Sequence, residues 1–259
     1  MTPAELAKRA RHNNVAAIAI TDHDTLAGAG EKARVCALEG LECIPGVEIS
    51  CEYNGSEAHI LSLFADPESK WTEQLTELTT AREKRMLAMV ERLATIGIRL
   101  ELSEIPTNGG AMGRPHLARA LVNKGVVKSV SEAFGRYLFD KGPVHIAKTR
   151  LTASEGIALA KRLGGVSILA HPGISGLAGD LDAFRGMELD GVEAHHPKHG
   201  GGTVASLLAY CRKNRLLPSG GSDFHSPGES FDIGSQRTPR ELLEPIRELA
   251  DNRKGRILA

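Results

Sequence analysis

Val15-Ala16-Ala17-Ile18-Ala19-Ile20-Thr21-Asp22-His23-Asp24 is the stretch that decides how the chain is read. Six consecutive apolar residues have the length of a strand but not the polar alternation of one with a wet face. Such a strand is buried on both sides. It stops abruptly at a group of ionisable side chains. A helix signal precedes it: Thr2 can cap, Pro3 fits the first helical position, and Glu5 completes a T-x-x-E capping box. A second helical stretch follows at 25–38. Helix, buried strand, polar strand end and helix again is the rhythm of an α/β fold with a parallel sheet.

Working outward, an apolar segment covers 43–49, a polar turn sits at Asn54-Gly55, and a further strand covers 59–64. The rhythm is then lost. Residues 71–93 form a long, charged, amphipathic stretch with Leu75, Leu78, Met86, Met89, Val90 and Leu93 near helical spacing. Shorter helical pieces follow at 114–125 and 130–139. This predicts a helical insertion over 70–148, between a first part (1–69) and a second part (149–259) of one α/β domain. From Leu151 the pattern returns, with a helix at 153–163 and a strand at 165–170 ending in His171-Pro172-Gly173. A short strand at 191–194 ends in His195-His196, and a helix covers 203–214. A segment at 216–219 leads into Gly220-Gly221-Ser222-Asp223-Phe224-His225, and the last helix covers 239–250. The sheet is expected to be parallel, open or closed into a barrel.

Composition narrows the class. Lys+Arg and Asp+Glu are both 32 in 259 residues, so net charge gives no basis for coating DNA or a membrane. Cys36, Cys43, Cys51 and Cys211 show no C-x-x-C spacing, which excludes a disulfide scaffold and a cysteine-rich zinc module and fits a reducing cytosol. No apolar run approaches the ~18 residues of a membrane span, and no signal peptide opens the chain. A cytoplasmic protein is expected, its oligomeric state left open.

The polar groups recur at one place in the pattern. Asp22 and His23, then His171, then Glu193, His195 and His196, then Asp223 and His225 lie at or just past the end of an apolar strand. The carboxyl ends of parallel strands form the ligand face, so these residues converge. His, Asp and Glu together suit zinc, manganese or iron. This is the inventory of a multinuclear hydrolase, in which paired ions activate water and hold a phosphoryl group. Other readings stay open at single positions. Glu48, inside an apolar strand, is either a ligand or the partner of a helix Lys or Arg. His59 is a ligand or a core histidine, and His195, His196 and His199 form a site or a surface loop.

Ile20-Thr21-Asp22-His23-Asp24-Thr25, Ile44-Pro45-Gly46-Val47-Glu48-Ile49-Ser50, His59-Ile60-Leu61, Leu169-Ala170-His171-Pro172-Gly173 and Gly221-Ser222-Asp223-Phe224-His225 occur in the order seen in the PHP (polymerase and histidinol phosphatase) superfamily, which the chain resembles to about residue 235. The insertion with Gly113-Arg114-Pro115-His116 resembles the stand-alone phosphoesterases of that superfamily. These include nucleoside 3′,5′-bisphosphate phosphatases and 5′-to-3′ exoribonucleases acting on short RNA. The resemblance implies a distorted (β/α)7 TIM-like barrel with a helical insertion domain acting as a substrate lid. It implies two or three divalent ions (Mn2+, Zn2+ or Fe2+) held by His23, Glu48, His59, His171, Asp223 and His225. Arg114 and His116 would be catalytic groups contacting the substrate phosphate, with His196 (or His195) shaping the pocket. The implied activity is metal-dependent hydrolysis of a phosphate monoester or diester of a nucleotide, nucleoside bisphosphate or short RNA through a metal-activated hydroxide.

One departure affects these expectations. The family opens with a strand bearing D-L-H-x-H-S, and this sequence begins at the helix that follows it. The chain as written is expected to lack the first barrel strand and part of the metal cage, through a start codon assigned at an internal methionine or a truncation, and to bind metal poorly. A truncated or impaired binding protein on the same fold is the alternative. An amidohydrolase is disfavoured by Ser222-Asp223-Phe224-His225 and by the lack of a candidate carbamylated lysine near a strand end.

Overall fold

The computed structural model describes residues 1–106, 112–228 and 230–257, so residues 107–111 of the expected insertion lie outside the described residues. Two compact units emerge: Met1–Glu73 with Arg150–Ala259, and Gln74–Thr149. The first unit opens with α1 (Pro3–His12), whose capping box is complete: Glu5 N donates to Thr2 Oγ1 and Thr2 N donates to Glu5 Oε2. Then come β1 (Ala17–Ile20), α2 (Ala29–Leu38), β2 (Glu42–Tyr53) and β3 (Ser56–Leu63). Ala7 and Ala10 of α1 pack on Val35 and Cys36 of α2 in a small apolar cluster.

The second unit takes most of α3 (Thr72–Thr95), then α4 (Arg114–Asn123), α5 (Val130–Ala133) and a π-helical turn at Phe134–Leu138. Its core joins Met86, Met89 and Leu93 of α3 to Leu117 and Leu121 of α4, with Leu138 and Val144. Two α3 arginines satisfy carbonyls of the returning segment: Arg85 donates to Ile146 O at 2.8 Å, and Arg92 donates to His145 O. This unit has its own apolar centre, which explains why the βα pattern lapses here.

The first unit resumes with β4 (Leu151–Thr152), α6 (Ala153–Arg162), β5 (Val166–Leu169), α7 (Pro172–Ser175), α8 (Leu181–Gly186), β6 (Gly191–His195), α9 (Gly201–Asn214), β7 (Leu217–Gly220) and α10 (Arg240–Ile257). The seven-stranded sheet has the order β1-β2-β3-β5-β6-β7, with β4 beside β2. Most pairs are parallel, as expected. The difference is β3, which runs antiparallel to both β2 and β5. The cause is Asn54-Gly55: both residues are left-handed (φ 49° and 78°) and close a two-residue hairpin with Tyr53 opposite Ser56. That turn geometry is the one that asparagine-glycine favours. A parallel neighbour would need a crossover of a dozen or more residues.

α10 continues past residue 250, where the apolar pattern ends, because its last turns have a polar anchor. Arg253 donates both terminal nitrogens to Asp190 at 3.0 Å and one of them also to Gly165 O. Asp190 also accepts from Ser167 N (2.8 Å) and Ser167 Oγ (2.7 Å). One carboxylate thus ties β5, the residue leading into β6, and α10. Ile246 and Ala250 of α10 pack on Ile44, Leu63, Val166 and Ile168 of the sheet. Among the described residues, no helix is long and apolar enough to cross a membrane.

Candidate metal centre

The segment after β1 stays beside β2. Glu48 N donates to Asp22 O (3.1 Å), and Asp24 N donates to Glu48 O (3.0 Å). His23 is therefore bridged to Glu48 across the ladder. The flanking acids have structural partners. Asp22 pairs with Lys32 at 2.6 Å, and the buried Asp24 accepts from Ser50 N at 2.6 Å. His59 comes from the other side, opposite Ser50 in the hairpin and so diagonal to Glu48, within reach of a long side chain.

Glu48 is the centre of the cluster. Its Oε1 lies 2.7 Å from His59 Nδ1 and 3.3 Å from His171 Nε2, and its Oε2 lies 3.6 Å from His23 Nδ1. The Lys or Arg partner allowed by the sequence is not what the described residues supply; imidazoles surround this carboxylate instead. His171 arrives from the end of β5 in a left-handed conformation, φ 31°. A non-glycine residue holds that backbone only when its surroundings enforce it. Here Glu193 Oε2 accepts the His171 N–H at 2.7 Å, and Pro172 starts α7.

Asp223 and His225 follow β7. His225 Nδ1 lies 2.9 Å from Asp223 O, and its ring centre is 6.2 Å from that of His23. His196 is buried behind Asp223, with Nε2 3.5 Å from Asp223 Oδ2. His196 Nδ1 accepts from Lys198 N, which puts the proton on Nε2 and aims it at Asp223. The contact open to His196 is therefore with Asp223. His199 bridges β6 to α7: its Nδ1 faces Ala194 O at 3.0 Å and its Nε2 accepts from Gly173 N at 3.2 Å. A Cβ on Gly173 would strike the His199 ring, so the glycine of His171-Pro172-Gly173 is dictated by packing.

Electrostatics follow from this crowding. Burial would push Glu48 up, but the His23 and His59 charges and the hydrogen bonds from His171 and His59 hold it well below its ordinary 4.5. Burial would pull His59 down, but Glu48 and then Glu57 outweigh it and raise it from 6.5 to about 9. Glu193 is pushed up to about 8 by burial, against the pull of the His171 N–H and with the negative charges of Asp223 and Glu48 adding.

A divalent cation fits this donor set. One ligand atom each from His23, Glu48 and His59 lie within 4.8 Å of one another. The ring nitrogens of His59 and His171 face each other at 3.3 Å beside one carboxylate oxygen, an arrangement that demands either a shared proton or a cation. A metal ion takes the place of such protons. The six residues named by the sequence thus fall into a tight group (His23, Glu48, His59, His171) and a flanking pair (Asp223, His225). Arg114 and His116 belong to the second unit, at the first turn of α4. Sequence reading undervalued Glu193, which was seen at a strand end but not given a role, and missed Glu57, whose Oε1 lies 3.1 Å from His59 Nε2. The E-x-H spacing on an alternating strand was the available signal.

The glycine pair before Ser222 lets β7 approach β6. A Cβ on Gly220 would collide with the Cβ and carbonyl of His195, while Gly221 N donates to His195 O at 3.0 Å. Gly220→Ala is expected to destabilise the chain by about 2 kcal/mol, as overpacking does, and to displace Asp223 from His196. Denaturant unfolding alongside Mn2+ titration checks this; wild-type values in both would refute the close-approach argument.

Comparison with known proteins gives a consistent picture. The PHP domain family model matches residues 1–138. The chain is 30% identical to a 3′,5′-nucleoside bisphosphate phosphatase of Chromobacterium violaceum over 269 residues, covering 96% of this chain and 91% of that protein. It is 32% identical to the 5′-3′ exoribonuclease Rnm of Escherichia coli over 244 residues, covering 90% and 83%. The crystal structure of a protein assigned as a metal-dependent phosphoesterase from Bifidobacterium adolescentis superposes with a TM-score of 0.87 at 30% identity, covering 96% and 91%.

Proposed function

Because the chain belongs to the PHP domain family, we propose that it releases phosphate from a nucleotide, a nucleoside bisphosphate or the end of a short RNA. It is a metal-dependent phosphoesterase, a hydrolase that binds divalent metal. The observation that carries the reading is the buried carboxylate of Glu48 facing three imidazoles at the strand ends. His23, Glu48, His59 and His171 would hold metal on one side, with Asp223 and His225 on the other, for two or three ions in all. The donor set suits manganese, zinc or iron. A bound divalent ion lowers the pKa of water and neutralises charge building on phosphoryl oxygens. Free cysteines support residence in a reducing cytosol.

The chain's own groups supply binding and proton transfer. Glu48 provides the negative charge that gathers the imidazoles, and His196 orients Asp223. We assign phosphate recognition to Arg114 and His116, with the second unit serving as the substrate lobe. His116 Nδ1 accepts from Gly113 N at 3.1 Å, which puts the ring proton on Nε2, the atom we assign to meet a phosphate or leaving oxygen. Arg114 now contacts Asp140 at 2.7 Å and Leu138 O at 3.1 Å. Asp140 is largely exposed, so a phosphate can replace it. The start of α4 adds the positive end of a helix dipole, which favours an anion there.

The test is phosphate release from a panel of nucleotides, nucleoside bisphosphates and short oligoribonucleotides, with Mn2+ and with chelator. Metal-dependent release from at least one member is expected. Binding without release would favour the impaired binding protein. Arg114→Ala should raise KM about tenfold or more, and Arg114→Lys should recover little of it, because the planar guanidinium grips phosphate at two points. An unchanged KM in Arg114→Ala would remove this residue from the site.

A further inference from the structure

Glu57 lies on β3 two residues before His59, so both side chains leave the same face of the strand. One oxygen, Oε1, is 3.1 Å from His59 Nε2. The other, Oε2, is 3.0 Å from a terminal nitrogen of Arg150, whose side chain is about one-fifth exposed. The opposite nitrogen of the same imidazole, His59 Nδ1, faces Glu48 at 2.7 Å and His171 Nε2 at 3.3 Å. A carboxylate only accepts, so the hydrogen between Glu57 and His59 belongs to Nε2.

We propose that Glu57 is a positioning residue for His59, held in place by Arg150. An imidazole that binds an ion through one nitrogen keeps its proton on the other. Glu57 takes the Nε2 proton as a hydrogen bond and thereby makes Nδ1 the atom turned towards the centre. It also fixes the plane of the ring, which would otherwise turn about its bond to the strand. Arg150 pins the second oxygen and stops the carboxylate rotating away. A carboxylate behind a ligating histidine also raises the basicity of the ligand nitrogen.

The inference rests on the metal-binding reading of the previous section, and the experiment separates the two. Mn2+ affinity is measured by competition with a chelating dye for wild type, Glu57→Ala, Glu57→Gln and Arg150→Met, each with its melting temperature. Glu57→Ala should bind Mn2+ about 10- to 100-fold more weakly. Glu57→Gln still accepts the Nε2 hydrogen through its amide oxygen, but its NH2 meets the Arg150 guanidinium donor to donor, so it loses the clamp and keeps the acceptor. Glu57→Gln and Arg150→Met should therefore both fall between wild type and Glu57→Ala. Saturating Mn2+ should restore much of kcat in Glu57→Ala with KM unchanged. Should Glu57→Ala fail to fold, Arg150→Met carries the test, and wild-type affinity there overturns the clamp. Equal Mn2+ affinity in folded Glu57→Ala and wild type removes the role of Glu57 and leaves the phosphoesterase intact. A wild-type chain with no Mn2+ affinity overturns the metal reading and the positioning role together.

Discussion

Glu48→Gln is expected to lower metal-dependent phosphate release by about three orders of magnitude. Gln keeps the shape and some hydrogen bonding but removes the carboxylate charge that faces His23, His59 and His171. A bound ion contributes several kcal/mol to charge stabilisation in phosphoryl transfer. Losing about 4 kcal/mol of that corresponds to roughly a thousandfold in rate. Turnover with Mn2+ and the metal content of the purified variant are the measurements. The expected result is a folded protein with reduced metal and residual turnover. Turnover within tenfold of wild type would show that the ion is held elsewhere.

The second large effect is on stability. Asp190→Ala should destabilise the chain by about 3 kcal/mol, because it leaves the largely buried Arg253 without its paired charge. It also leaves Ser167 N and Oγ without their acceptor. The pH dependence has a definite sign. Burial would raise Asp190, but Arg253 and Ser167 outweigh it and hold it below its ordinary 3.8. A carboxylate depressed in the folded state adds stability above its unfolded pKa and loses it as pH falls through the folded value. The contribution is therefore complete at neutral pH and fades below about pH 4. Asp190→Asn should be less stable than wild type at pH 7 and should flatten the acid limb of the stability curve. Urea midpoints between pH 3 and 7 check this, and an Asn variant with an unchanged acid limb would refute the assignment.

Much of this architecture was legible in the sequence, for physical reasons that differ by element. The buried strands around Ile18, Ile168 and Val192 showed as apolar runs, and α1 announced itself through Thr2 and Glu5. The gathering of His23, His171 and Asp223 could be read because strand ends share one face. β3 departs from the expected parallel sheet because its direction rests on the two residues of Asn54-Gly55, whereas the βα rhythm that implies parallel strands runs along most of the chain. The reach of α10 to Arg253 was hidden because its anchor, Asp190, is remote in sequence and charged. Glu193 stands at a strand end, but its meeting with the strained His171 N–H leaves no periodicity behind. Glu57 does leave a signal in its E-x-H spacing, but the atom it meets, His59 Nε2, is fixed only by the fold. His196 was seen but not its partner, since its burial depends on α9 packing against β6.

The β2–β3 hairpin has a consequence for the order in which the chain assembles. It carries two of the cluster's members, Glu48 and His59, across a two-residue turn. Hairpins of this kind close in about 1–10 μs, so these two side chains can meet before any distant contact forms. His171 and Asp223 are in a different position. His171 joins only when β5 docks on β3, a pairing that spans the entire helical unit. Long-range pairings of that sort slow folding because the chain between them must be closed into a loop first. Glu48 and His59 are thus a local product of the hairpin, whereas His171 and Asp223 report that the topology is complete. A full-strength metal site is therefore a late event in folding, and partly folded chains are excluded from the chemistry by contact order.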